Sequence, residues 1–142
     1  MKVSAKAQYA CIAVLELAAK YGSAQPSRVR AIAQAHGIPI RFLVQILLQL
    51  KGAGLVASTR GAAGGYQLAR PPDSISLGDV INAVDRPQLA REEAPAKSSP
   101  VARVLHAVWL EIHAEEQRIL EEISLADLRR QIQESAEFSY QI

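Results

Sequence analysis

The side chains best suited to chemistry in this chain are cations and amides that match a nucleic acid rather than a reacting centre. Arg41 and Gln45 stand four residues apart in RFLVQ, so on a helix they are surface neighbours. Arginine can take guanine or a phosphate in the major groove, and glutamine can pair with adenine. Pro39, Ile40 and Val44 share the exposed N-terminal end of the same stretch, where Val44 can meet a thymine methyl. Arg60 and Gly61 open the glycine-rich run RGAAGG, from which an arginine can enter a neighbouring groove or grip phosphate. Lys6 adds a backbone contact, and Ser4 and Ser27 offer hydroxyls near helix N-termini, where phosphates bind. Taken singly, Arg41 and Gln45 also read as solvated helix residues, and Tyr9 and Tyr66 as packing residues or phosphate donors.

Enzymatic chemistry finds no such set. No nucleophile lies beside a base, and the adjacent pairs Glu115–Glu116 and Glu121–Glu122 point in different directions on a solvated helix. The glycine run lacks both the ending of a P-loop and dinucleotide-binding spacing, and it connects strand to strand rather than opening a helix. His36, His106 and His113 are not spaced as a metal site. The chain reads as a non-enzyme that holds no metal or other cofactor.

The net charge of +2 hides a division. Residues 1–70 carry nine Lys or Arg against one acid, Glu16, a net of +8, while residues 71–142 carry seven bases against thirteen acids, a net of −6. A basic first half suits a polyanion. Hydrophobic residues make up 49% of the 142, enough for a folded core and too many for a largely disordered chain. No apolar run approaches the roughly 20 residues that span a bilayer, and the opening stretch is broken by Glu16 and Lys20, so no membrane association is expected. A single cysteine, Cys11, rules out an intrachain disulfide and fits a reducing cytoplasm.

The elements that must position these residues follow from capping and periodicity. Ser4 is an N-cap for a helix to about Tyr21, with Ala10, Val14, Leu17 and Ala18 on its apolar face. A short helix begins after Ser27 and stops near Gly37. Pro39 suits the first turn of a third helix, whose Phe42, Leu43, Ile46, Leu47 and Leu50 form a buried stripe. Strands at 55–59 and 66–69 flank RGAAGG as a hairpin. Ser76 and Asp79 have capping-box spacing, as do Ser124 and Asp127. Ser99 and Pro100 open a long helix to about Ile123, with Val101, Val104, Leu105, Val108, Ile112 and Ile119 on one side. Trp109 and Leu110 widen that face, as interface packing or as the lining of an effector pocket.

Helix, short helix, turn, helix and hairpin is the layout of a winged helix-turn-helix. The stretches SAKAQYA, IAQAHGIPIRFLVQILLQLKGAGLV, RGAAGGYQLARPPDSISLGDVINAVD and ISLADL resemble the Rrf-two type of bacterial winged-helix regulators over most of the chain outside residues 87–99. The resemblance implies a homodimer joined along the long helix, with two wings flanking an inverted-repeat operator. It places Ser4, Lys6, Tyr9, Ser27, Ile40, Arg41, Gln45, Arg60 and Gly61 at or near DNA. Several relatives hold an iron–sulfur cluster on three cysteines between the wing helix and the dimerisation helix. This chain has none there, so no cluster is expected, and the inducing signal is left to a small ligand, a protein partner or nothing. Pro39 and Val44 also replace the Ser and Glu common in the family, which implies a different operator.

The expected fold is mainly α with a small β-hairpin wing, a winged helix-turn-helix plus a long dimerisation helix. Residues 1–85 form the DNA-binding domain, 86–98 a flexible connection, and 99–142 the dimerisation and C-terminal helices. The expected function is that of a dimeric repressor on a pseudo-palindromic site in double-stranded DNA. The competing reading is a winged-helix module that acts through a protein partner.

Overall fold

Helix α1 (Ala5–Ala19) begins where the hydroxyl of Ser4 accepts the amide N–H of Ala7 at 3.0 Å. Its buried face is mostly alanine, with Ala7, Ala10 and Ala13 beside Val14 and Leu17, so other elements approach its backbone closely. The helix ends two residues earlier than its periodicity suggests, because Lys20 turns its N–H back onto Leu17 and Ala18. The computed structural model describes residues 1–85 and 99–141, and the expected connection at 86–98 lies outside them.

Helix α2 (Val29–His36) buries Ile32 and Ala33 and stops at Gly37, whose φ of 65° is left-handed, a conformation glycine adopts without strain. The chain then turns through 120° into α3 (Ile40–Gly52). Pro39 is the residue before the first turn of α3 rather than its first member, and its carbonyl accepts from Leu43 N–H. Leu43, Ile46, Leu47 and Leu50 are buried and fix the rotation of α3 about its axis.

Strands β1 (Val56–Thr59) and β2 (Gly65–Leu68) pair antiparallel, with Val56 opposite Leu68 and Thr59 opposite Gly65. A third strand-like partner is Ser27, whose N–H donates to the carbonyl of Tyr66 at 2.9 Å and whose carbonyl accepts from Tyr66 N–H at 2.7 Å. Gly65 is required by this approach: a Cβ there would lie 2.4 Å from the Ser27 carbonyl oxygen.

After a 3-10 turn at Pro72–Ser74 comes α4 (Leu77–Val84), opened by a reciprocal capping box between Ser76 and Asp79. Helix α5 (Pro100–Glu122) starts with Ser99 capping Ala102 N–H at 3.0 Å and Pro100 in the first turn. Helix α6 (Leu125–Gln141) follows, with Ser124 and Asp127 exchanging capping hydrogen bonds at 3.0 and 3.1 Å. These bonds from Ser124, backbone first, hold the Asp127 carboxyl below the ordinary range.

The junction of α5 and α6 is tied to the first half of the chain. Leu77 N–H donates to the Ile123 carbonyl and Leu125 N–H to that of Ile75, both at 2.9 Å. Leu125 is fully buried in the same core as Leu17, Leu43 and Val80. A division at residue 85 therefore separates sequence segments but runs through one hydrophobic core.

Candidate nucleic-acid interface

With one face of α3 committed to the core, its other face carries Ile40, Arg41, Val44 and Gln45 outward, in keeping with their spacing. Leu48 joins them at 55% exposure, beyond Ile40 at 42% and Val44 at 38%. Sequence reasoning misses Leu48, although its place four residues after Val44 and eight after Ile40 is the periodic signal that could have found it.

Arg60 and Gly61 are exposed at the tip of the hairpin. The tip is closed by Gly64 N–H donating to the Gly61 carbonyl at 3.0 Å. A Cβ on Gly64 would stand 2.2 Å from the Thr59 carbonyl, so the glycines make a tight, defined turn rather than slack. Lys51, in the last turn of α3, donates to the Ser58 hydroxyl at 2.7 Å and so links the hairpin to α3.

Lys6, Arg28, Arg30, Arg41 and Arg60 have no acidic partner among the described residues. The one acid of the first seventy residues, Glu16, is taken by His36 at 3.1 Å. Unneutralised cations on a rigid frame are available to phosphates.

Three serine and tyrosine expectations are modified. Ser27 is 5% exposed, lies beneath the wing, and does not cap α2; Arg28 is the N-cap residue instead. Its hydroxyl, expected at a phosphate, is enclosed, and both backbone groups pair with Tyr66. Arg28 and Arg30, both exposed beside it, are the cations at this helix start that sequence reasoning misses, although the RVR spelling is a signal for them. The Ser4 hydroxyl is engaged on both sides, accepting from Ala7 and donating to the Asp85 carboxylate. Tyr9 is half-buried with its ring edge-on to Phe42, centroids 5.6 Å apart, so packing claims the ring and leaves only the hydroxyl for a ligand.

Helix α5 presents Val101, Val104, Leu105, Val108, Trp109, Ile112 and Ile119, each at least 41% exposed. Leu120 alone in this helix is buried, near Gly78 of α4, where an added Cβ would meet the Glu121 side chain at 3.4 Å. Helix α5 is thus anchored at its C-terminal end and carries an apolar flank along the rest that no other element covers among the described residues.

Residues 3–131 match the family described as Rrf2, iron-dependent transcriptional regulator. The chain belongs to the Rrf2 family. It is 35% identical over 132 residues to the HTH-type transcriptional regulator CymR of Bacillus subtilis, covering 90% of this chain and 89% of that protein. The structure of B. subtilis CymR superposes with a TM-score of 0.76 over 92% of this chain and 97% of that one. That of T. potens IscR superposes with a TM-score of 0.76 at 33% identity, over 95% of this chain and 90% of that one. This is a family of winged-helix transcriptional regulators, not enzymes.

The family description names iron, and the donors present do not fit a cluster. Cluster irons are held by several cysteine thiolates. Here the single cysteine, Cys11, sits half-buried on α1, and burial pushes its thiol up to about 11, which keeps it protonated. Among the described residues no three His, Cys, Asp or Glu gather into a metal-binding group. No single helix among them is long and apolar enough to cross a membrane.

Proposed function

We propose that this chain is a homodimeric, cluster-free repressor that binds a pseudo-palindromic promoter site in double-stranded DNA. The observation that carries the reading is the outward face of α3, with Arg41 and Gln45 exposed beside a rigid wing bearing Arg60. A helix of this kind fits the major groove, and the wing reaches the flanking backbone or minor groove. Arg28, Arg30 and Lys6 extend the basic surface along the phosphates.

Dimerisation is supported by the apolar flank of α5, too large to be left in water without cost. Two heads joined there match two half-sites of an inverted repeat. Repression is the simplest output of such a complex, since a dimer seated on a promoter excludes polymerase. Iron–sulfur sensing is left out for want of thiolates, so regulation falls to a small ligand or a protein partner.

The test is a binding titration on the chain's own promoter at several salt concentrations. A steep decrease of affinity with salt is expected, with clear preference over random DNA. A flat salt response, or equal affinity for random DNA, would overturn the reading.

A further inference from the structure

Helix α3 carries an apolar ladder on its outward face that no other element among the described residues covers. Ile40, Val44 and Leu48 are exposed at 42, 38 and 55% and follow one another at intervals of four residues. The buried Leu43, Ile46, Leu47 and Leu50 already fill the core side, and none of the three rungs belongs to the core. Arg30 lines the same cleft as Ile40 and Arg41 follows Ile40 in α3, neither with an acidic partner among the described residues, which argues that a polyanion covers the ladder.

Resting on the DNA-binding reading above, we propose that this ladder reads thymine methyl groups and thereby selects the operator. The thymine C5-methyl is the apolar group on the major-groove edges of the base pairs. Successive rungs lie about 6 Å apart along the helix axis, close to two base-pair rises of roughly 3.4 Å each. An apolar rung placed over guanine or cytosine buries polar edge groups without partners, which is unfavourable. No Asp or Glu occurs in α3, so no carboxylate is present to accept from cytosine N4. Gln45, between the rungs, is suited to adenine. The preferred half-site thus holds thymines about two steps apart in A·T-rich sequence, with Arg41 on a guanine or a phosphate at its edge.

The experiment places the perturbation on the DNA, so folding of a variant is not at issue. Fragments selected from a random pool by the full-length protein are sequenced. The best site is then remade with uracil in place of single thymines, removing one methyl each. The expected result is a half-site with thymines at two-step spacing and an affinity loss of about three- to fivefold per critical methyl. That factor corresponds to about 0.8 kcal/mol for a buried CH2-sized group. Leu48→Ala and Val44→Ala should shrink the uracil penalty at one position each. Tight, salt-dependent binding that is indifferent to uracil, or G·C pairs at the central positions, overturns the ladder while leaving the DNA-binding reading intact. Absence of any sequence-selective binding overturns both, and would turn the ladder into a protein-facing surface.

Discussion

The backbone of Ser27 is paired on both sides with that of Tyr66, its N–H to the Tyr66 carbonyl at 2.9 Å and its carbonyl to the Tyr66 N–H at 2.7 Å. The residue before the N-cap of α2 is thereby made a rung of the wing. A movement of the hairpin is transmitted to the start of the helix-turn-helix, and Arg60 and Arg28 are held on one frame.

Gly65→Ala should break this joint. The added Cβ would meet the Ser27 carbonyl oxygen at 2.4 Å and its carbon at 2.7 Å, both backbone atoms that cannot swing aside. A loss on the order of 1–3 kcal/mol is expected in urea unfolding, with weaker DNA binding. Gly52→Ala, with nothing within 4 Å, should be neutral or stabilising. Equal melting of the two variants would show that the approach is not rigid.

Arg60→Ala should weaken DNA binding without changing the far-ultraviolet circular dichroism, because the side chain is exposed and has no partner among the described residues. If it holds one phosphate, the slope of log affinity against log salt falls by about one. An unchanged slope would remove the wing from the phosphate contacts.

Leu105→Glu combined with Val108→Glu should give a folded monomer in sedimentation velocity, since both residues are exposed on α5 and neither is part of the head's core. Binding to a two-half-site operator should drop with it. A wild-type chain that already sediments as a monomer would refute the dimer.

Cys11 should be inert to alkylation in the native protein near neutral pH and reactive in denaturant. Its thiol is raised from an ordinary 9.0 to about 11 by burial, so the folded state keeps a proton that the unfolded chain loses first. The stability contributed is complete below pH 9.0 and is lost as the pH climbs towards 11. Relative to Cys11→Ala, the wild type should therefore lose stability across that window. Parallel pH curves for the two proteins would contradict the burial. Anaerobic loading with iron and sulfide should leave the protein without a brown absorption band.

The local chemistry of the fold is legible in the sequence. The capping residues Ser4, Ser76, Ser99 and Ser124 each stand where their spacing predicts, because a cap depends on residues three positions away. The buried stripe of α3 is equally plain from its periodicity. What escapes a sequence depends on partners distant along the chain. Ser27 reads as a surface cap, yet its surroundings are set by Tyr66, and its burial follows from a strand pairing that no local pattern encodes. Leu125 reads as part of a separate appendage, although it completes the core of the head. The basic surface follows from charge alone, but that Arg28 and Arg30 are exposed while Ser27 beside them is buried depends on the fold.

The position of Leu125 also bears on how the protein is made. Its side chain is fully buried in the head and its amide closes on Ile75, fifty residues earlier. While a ribosome is still synthesising the chain, the head has a gap where this leucine belongs, worth about 1.5–3 kcal/mol of burial. A nascent or prematurely terminated product that lacks Leu125 is consequently left with a loosened N-terminal core. The N-terminal core is therefore complete only in chains that already carry the long apolar helix before Leu125.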